Sequence, residues 1–376
     1  MGNPRSIIVS VTNDLVTDNR VHKICLFLSE EGYDVTLVGR KLKSSLPLQK
    51  RTYSTKRFRL FFVQGPLFYL EYTLRLFFYL LFHRADVLLS NDLDTLLPNY
   101  LISRLKSTRL VYDSHEYFTE VPELIDHPKK QKIWLSIEEW IFPKLNHVYT
   151  VNESIAKLYA EKYKVDVKVI RNVAPKLNLE SIKTREELGI PTDKFMLILQ
   201  GSGINHKRGA EEAVESMKFI DHACLYIIGG GDVVEKLKKQ VKAESLDQKI
   251  RFLPKMPYLE MMQYTLNADL GLAIDHTDVL NHKLALPNKF FDYIQAQVPI
   301  LATDLTEVRS LIEFYKIGYI IDKPLTPENL AEKINRIKMT YTADLPLLKQ
   351  HLAFAKQKEN WEVELVKLKE IYSKLN

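Results

Sequence analysis

At 376 residues, with 46% hydrophobic and 27% charged side chains, the chain is too long for one ordinary core and too apolar to be disordered, so two domains are expected. Its two cysteines, Cys25 and Cys224, lie far apart within apolar patterns, which excludes a disulfide framework and suits a reducing cytoplasm. The net charge of +6 is moderate, but Arg40, Lys41, Lys43, Lys50, Arg51, Lys56, Arg57 and Arg59 follow one another without an acid, and such a stretch suits an anionic partner.

The opening Met1-Gly-Asn-Pro-Arg-Ser6 formally matches an N-myristoylation pattern, but Pro4 is awkward there and so short a match carries little. Arg5 is followed by only Ile7–Val11 before polar residues return, so no secretory signal is expected. Apolar, β-branched runs then predict strands at Ile7–Val11, Asp34–Gly39, Phe58–Val63, Asp86–Ser90, Arg109–Asp113, His147–Val151 and Val167–Arg171. A second series covers Phe195–Gly201, Ala223–Gly229, Lys249–Leu253, Leu270–Asp275, Pro299–Thr303 and Ile317–Asp322. Stretches with helical spacing separate them. In the first such stretch Val21, Ile24, Cys25 and Leu28 fall on one face. Continuous apolar strands alternating with helices predict parallel sheets covered on both faces, and their number predicts two doubly wound sheets rather than one.

The break is expected in the strand-free stretch Val173–Leu188, giving domains at 1–175 and 176–355 and a C-terminal helical segment at 356–376. Trp361 and Tyr372 would anchor that last helix, with a return to the first domain as one reading. A deep cleft at the carboxyl ends of the strands is where ligands would bind.

Two segments in the second half are built for phosphate. Gly201-Ser-Gly-Ile-Asn205-His-Lys207-Arg208-Gly209 runs from a strand end to a helix start, where backbone N–H groups and two cations make an anion site without a metal. Gly201 and Gly203 permit close approach of a ligand to the backbone. The cations could instead simply solvate a loop, the commoner case. Leu286-Pro-Asn288-Lys289-Phe-Phe-Asp292 opens a second helix one turn before a carboxylate able to accept both hydroxyls of a ribose or to act as a first-turn dipole partner. Two such loops suggest a nucleotide diphosphate gripped from two sides. Gly229-Gly-Gly231 reads as a tight turn.

The same segments resemble the donor-site motifs of family-4 (group 1) glycosyltransferases, and the resemblance continues through Asn267-Ala-Asp269-Leu-Gly-Leu and Val298-Pro-Ile-Leu-Ala-Thr303 to span nearly the whole chain. It implies the α/β GT-B fold, two Rossmann-like domains facing a central cleft. The C-terminal domain would bind a UDP- or GDP-linked sugar donor, with no metal or other cofactor and with retention at the anomeric carbon. Arg208 matches the basic residue on the diphosphate, with Lys207 beside it. Asp292 matches the second acid of the E-x7-E motif, which binds the ribose. Gly201, Ser202, Gly203, Asn205, Asn288 and Lys289 complete the implied donor contacts. Two positions depart from the pattern: Leu284 stands where the first acid belongs, and Ser202 occupies the usual first Arg position. Asn281, His282 and Lys289 are the nearby substitutes.

In the first half, Ser90-Asn-Asp92-Leu-Asp94 and Val111-Tyr-Asp-Ser-His115-Glu116 place polar groups past strand ends. The second is similar to the VYDxHE signature of a bacterial polysaccharide branch, in which the histidine sits near the transferring sugar and phosphate. His115 is therefore a catalytic candidate. Asp92, Asp94 and Glu116 are candidates for acceptor contact or for orienting it. Asp18 and Arg20, in the loop after the first strand, are further acceptor-side candidates, although Asp18 could simply cap the next helix. Leu67–Phe82 is apolar around most of its circumference, broken by Glu71 and Arg75. It is too short and too charged to span a membrane. A buried helix is one reading and peripheral membrane contact, aided by Arg40–Arg59, the slightly favoured other.

The expectation is a retaining, metal-independent glycosyltransferase, with a polysaccharide or lipid-linked saccharide as acceptor and no nucleic-acid partner. It would be cytoplasmic, at the inner membrane face if the membrane contact holds. An epimerase of the same fold and a catalytically weakened nucleotide-sugar-binding subunit are the rivals. A dehydrogenase is disfavoured, because Val11-Thr-Asn-Asp-Leu15 stands where G-x-G-x-x-G would follow the first strand.

Overall fold

The computed structural model describes residues 5–16, 18–276 and 280–375, so the myristoylation-like opening falls largely outside the described residues. The chain divides into two units, Met1–Asn172 with Leu365–Asn376 and Val173–Glu364.

The first unit runs β1 (Ser6–Asp14), α1 (Asn19–Glu30), β2 (Asp34–Arg40), β3 (Ser54–Phe58), α2 (Gly65–Phe82), β4 (Val87–Asn91), α3 (Leu93–Lys106), β5 (Arg109–Ser114), α4 (Pro122–Ile125), α5 (Pro128–Ile141), β6 (His147–Thr150), α6 (Glu153–Tyr163) and β7 (Val167–Val169). The second runs β8 (Phe195–Gly201), α7 (Ala210–Ser216), β9 (Ala223–Gly229), α8 (Val234–Ala243), β10 (Ile250–Leu253), α9 (Tyr258–Leu266), β11 (Leu270–Ala273), α10 (Leu280–Lys283), α11 (Asn288–Ala296), β12 (Ile300–Thr303), α12 (Thr306–Tyr315), β13 (Gly318–Ile321) and α13 (Pro327–Lys358). The final helix, α14 (Trp361–Ser373), begins in the second unit and ends in the first.

Each unit holds one parallel sheet, in the orders β3-β2-β1-β4-β5-β6-β7 and β10-β9-β8-β11-β12-β13. In both, the connections leave the central pair of strands, β1/β4 and β8/β11, in opposite directions, which opens a crevice at their carboxyl ends. The central strands are buried on both faces. In β1, Ile7, Ile8 and Val9 are all buried, and β11 is buried throughout. Asp18 caps α1 by accepting from the Val21 N–H at 3.1 Å, and Val21, Ile24, Cys25 and Leu28 bury the predicted face. Full burial of side chains of this size stabilises by about 1.5–3 kcal/mol each. In the last helix, Trp361 N–H donates to Ala174 within the second unit, while Tyr372 sets its ring edge against Phe27 and Tyr33 in the first.

One predicted strand is displaced. The third strand of the first sheet is Ser54–Phe58, paired with Thr36–Arg40, and not Phe58–Val63. As an edge strand it needs few apolar residues, so STKRF carries no apolar run. The apolar run that follows is turned away from the sheet, because the Glu71 carboxylate accepts from the Phe61 and Phe62 N–H groups at 2.9 and 3.0 Å. The other predicted strands each overlap an observed one.

Helix α2 is neither wholly buried nor wholly exposed. Phe68, Tyr72, Leu76 and Leu80, spaced four apart, bury one face. Leu67, Leu70, Leu74, Phe78 and Phe82 remain exposed on another. Tyr69 meets Trp134 of α5 edge-on at 5.1 Å, and Lys129, Lys130 and Lys132 near the start of α5 are exposed. Part of the Arg40–Arg59 charge is spent internally: Arg40 on the Val63 carbonyl, Arg51 on the Leu15 carbonyl and Arg57 on Asp14. Lys41, Lys43, Lys50, Lys56 and Arg59 are exposed. Among the described residues no helix is long and apolar enough to cross a membrane.

Candidate active site

In the second unit, the loop after β8 is braced by the turn after β9. Ile204 N–H donates to Gly230 at 3.0 Å, His206 N–H to Asp232 at 3.0 Å, and Asp232 N–H to the Asn205 side chain at 3.2 Å. The Gly229–Gly231 turn is thus the seat of the phosphate-ready loop. At the loop's far end Gly209 has φ +78°, and a Cβ there would run into the Ile274 carbonyl oxygen. Only glycine lets the Lys207-Arg208-Gly209 turn sit this close to the end of β11. His276 N–H closes the contact by donating to the Lys207 carbonyl at 3.1 Å.

That packing brings the two predicted segments together around a carboxylate that the sequence did not single out. Asp275, two residues beyond β11, is only 1% exposed. Its Oδ1 lies 3.7 Å from the Arg208 guanidinium and 3.7 Å from the Lys289 ammonium, the latter at the start of α11. Neither oxygen accepts a hydrogen bond. One turn further along α11, Asp292 accepts from the Tyr258 hydroxyl at 3.1 Å and from the Gln200 amide at 3.0 Å. The Thr265 hydroxyl fixes that amide by donating to its oxygen at 2.6 Å. Asp292 is thus held in place from β8 and from α9. Arg208 and Asp292 both sit over the β8/β11 crevice, through Asp275 and Gln200 respectively.

Of the other donor-side residues, Ser202, Gly203, Asn205 and Asn288 are exposed and Gly201 is half-buried at the end of β8. Lys207, with φ +63°, is exposed. Leu284 is buried at 6% exposure, so the position of the first acid is filled by a buried aliphatic side chain in this chain. Helix α7 is a single short helix of 7 residues whose first turn carries Glu211 and Glu212, so its own acids offset the N-terminal dipole and the anion-attracting charge comes from Arg208 and Lys289.

In the first unit, the ends of β1, β4 and β5 supply the polar cluster. His115 is held on both ring nitrogens: Nδ1 is 3.2 Å from Asp92, and Nε2 is 3.2 Å from Asp113 and 3.2 Å from the Asn91 side-chain Oδ1. Its N–H also donates to Asp92 at 2.7 Å. Burial alone would discharge this imidazole, but Asp92 and Asp113 outweigh it and raise the pKa to about 9. Burial pushes Asp92 up to about 7 against the pull of His115, with Asp94 adding to the rise. Burial likewise lifts Asp94 to about 6, although the Thr12 hydroxyl donates to it at 2.5 Å and its Oδ1 has no partner. Asp113 is also buried, yet Arg20 and then His115 hold it below the usual carboxylate range. Asp92 has φ +59° and ψ 169°, a strained conformation for a non-glycine residue and one that clusters at functional sites.

Arg20 does not face a ligand. It is 4% exposed, forks onto Asp113 at 2.7 and 3.1 Å, and donates to the Ile170 carbonyl at 2.9 Å. Any influence it has on an acceptor passes through Asp113 and His115. Asp18 is occupied as the helix cap and also accepts from Asn13 at 2.9 Å. Glu116 is half-buried beside the cluster, and its carbonyl accepts from Ser114. Thr12, Asn91 and Asp113 join the cluster without having been singled out. Their signal was position at a strand end, which each shares.

A family model described as Glycosyltransferase Family 4 matches residues 18–174, and one described as Glycosyl transferases group 1 matches residues 180–345. A search of curated proteins by sequence finds no match. Among solved structures, a glycosyltransferase from Rickettsia africae superposes with a TM-score of 0.77 at 15% identity, covering 100% of this chain and 99% of that one. Sucrose-phosphate synthase from Thermosynechococcus elongatus gives 0.79 at 15% identity, covering 99% of each chain. The Anabaena protein HepE, solved in complex with UDP-glucose, gives 0.72 at 15% identity, covering 98% of this chain and 100% of that one. At this identity the likenesses establish the shared fold.

Proposed function

The chain belongs to the family-4 (group 1) glycosyltransferases of GT-B fold, and on that premise we propose that it moves a sugar, with retention, from a UDP- or GDP-linked donor to a saccharide or lipid-linked saccharide acceptor. The second unit would bind the donor and the first the acceptor. One observation carries the reading: Arg208 and Lys289, from separate turns, converge to 3.7 Å from the same carboxylate oxygen at the crevice of a doubly wound sheet. Two preorganised cations at that place stabilise the charge that develops on a leaving diphosphate, the electrostatic role that a metal takes elsewhere. Asp292 would meet the ribose hydroxyls, and the loop from Gly201 to Asn205 would lie along the phosphates.

In the reaction, the bond from the anomeric carbon to the β-phosphate oxygen breaks and the acceptor oxygen bonds the same face of that carbon. The acceptor proton passes to the leaving phosphate. This front-face course is the one that the family resemblance implies. By the family resemblance His115, held by Asp92 and Asp113, would contribute positive charge toward the sugar and phosphate, and Asp94 and Glu116 would be the acceptor contacts. Incubation with UDP- and GDP-sugars separates the readings. Transfer with the anomeric configuration kept is expected. Conversion of donor without acceptor would mean an epimerase, binding without turnover a weakened subunit, and an inverted product would refute retention.

We place the enzyme on the cytoplasmic face of a membrane, where lipid-linked acceptors reside. The exposed apolar stripe of α2 supports this, as do the exposed cations of the Arg40–Arg59 stretch and Lys129, Lys130 and Lys132 elsewhere in the same unit. An apolar face combined with cations binds anionic bilayers in their interfacial plane.

A further inference from the structure

Asp275 is a carboxylate in an unusual state. It is 1% exposed, its two oxygens accept no hydrogen bond, and the cations that neutralise it stand 3.7 Å away, beyond hydrogen-bonding distance. Buried carboxylates are ordinarily hydrogen-bonded, because the loss of water is costly. Here the backbone around it is settled: its carbonyl accepts from the Thr303 hydroxyl at 2.6 Å, and the Gly209 turn packs on the preceding residue. The side chain alone is left without donors, in the crevice between β8 and β11.

We infer that Asp275 receives the hydroxyl groups of the donor sugar and helps to decide which sugar is accepted. The inference rests on the donor site proposed above. If Arg208 and Lys289 turn to a diphosphate, Asp275 loses the two cations that face it among the described residues at the moment an anion arrives beside it. It then needs hydrogen-bond donors. The sugar is attached to the phosphate that those two cations would hold, so its hydroxyls are the nearest donors a bound substrate brings. The buried Leu284, at the position where the family resemblance implies an acid, has a side chain that can offer a hydroxyl nothing. Asp275 is a second carboxylate beside the same crevice, on a different strand end. A site built to pair a hydroxyl also rejects analogues that lack it, because its own polar group is then stranded.

The test uses the full chain and calorimetric binding of UDP, GDP, UDP-glucose, UDP-galactose and GDP-mannose. The tightest sugar nucleotide is then compared with its own nucleoside diphosphate and with its 2-, 3- and 4-deoxy forms. For Asp275→Asn, the diphosphate should bind as in the wild type or more tightly, since a negative charge beside the phosphates is gone. The sugar nucleotide should weaken by about 10–150-fold, the range for a hydrogen bond to a charged group. At least one deoxy form should bind the wild type and the variant alike. Asp275→Ser, read in parallel with the unliganded melting temperature, guards against a folding defect in one variant. Equal weakening of diphosphate and sugar nucleotide would assign Asp275 to holding Arg208 and Lys289 and overturn the inference, as would unchanged binding of both. Failure of the wild type to bind any of the five would instead overturn the donor site itself.

Discussion

Replacing Arg208 by Ala tests whether the donor loop holds a leaving diphosphate. In the unliganded site, Arg208 and Lys289 carry two positive charges against the single negative charge of Asp275. The net positive charge attracts a diphosphate, and without Arg208 the three-residue site becomes neutral. A unit charge at 3.7 Å in surroundings of effective dielectric ~20 interacts by about 4 kcal/mol, and the partial exposure of Arg208 reduces that further. Binding of UDP should therefore weaken by about 1.5–3 kcal/mol, roughly 10–150-fold. Turnover should fall by more, because the β-phosphate gains charge only as the sugar leaves. Loss of one preorganised donor to developing negative charge costs about 10²–10³ in kcat. Steady-state kcat and KM with a labelled donor, together with calorimetric UDP binding, separate these two contributions. Arg208→Lys keeps the charge but loses the planar fork, so it should fall between wild type and Ala. A kcat within threefold of wild type, with UDP binding unchanged, would remove the loop from the donor site.

For His115 the folded pKa of about 9 lies above the ordinary 6.5, so its contribution is fully present below pH 6.5 and is lost as pH rises through 9. Urea unfolding should show the wild type losing on the order of 3 kcal/mol across that window, and His115→Gln should lack that slope. Arg20→Met strands the buried Asp113 carboxylate and should cost about 3–5 kcal/mol by denaturant unfolding, whereas a loss below ~1 kcal/mol would show that the pair does not hold the cluster. Gly209→Ala meets both the positive φ and the Ile274 carbonyl, so a loss of about 1–3 kcal/mol is expected together with weaker UDP binding. Leu74→Asp with Phe78→Asp should abolish co-sedimentation with phosphatidylglycerol vesicles and leave the melting temperature within about 2 °C, since both side chains are exposed on α2.

The fold was legible wherever burial on both strand faces writes an uninterrupted apolar run, as in Phe195–Gly201 and Ala223–Gly229, each observed at its predicted bounds. It was misread at Ser54–Phe58, where an edge strand has a solvent side and the stronger apolar signal belonged to the loop before α2. That the two glycine- and proline-marked segments run from strand end or turn into a helix start was legible because such residues are local chemistry. Asp275 was not. It read as the last residue of a strand, and nothing local shows that Gly209 packs on Ile274 and so carries Arg208 to it. Arg20 was misjudged for the same reason: its partner Asp113 lies 93 residues away, and an arginine after a strand end looks the same whether it faces a ligand or a buried carboxylate.

The two polar clusters divide the electrostatic demands of a transfer reaction differently, and this bears on where the acceptor proton can go. At neutral pH His115 is protonated, and both its nitrogens point at acceptors: Asp92 on one side, Asp113 and Asn91 on the other. A protonated imidazole is donor-only, so it cannot take a proton from an acceptor hydroxyl. Its carboxylate partners explain why it stays that way. Asp113, held low by Arg20 and then by His115, keeps a negative charge beside Nε2 that favours the protonated imidazole. His115 is therefore a fixed cation rather than a base. The second unit, with two cations over one carboxylate, holds positive charge where a diphosphate would lie. In the proposed mechanism that diphosphate is the strongest base near the reacting carbon once the sugar begins to depart. Proton transfer to its oxygen then needs no residue of the chain to change protonation state, which fits a histidine locked as a donor.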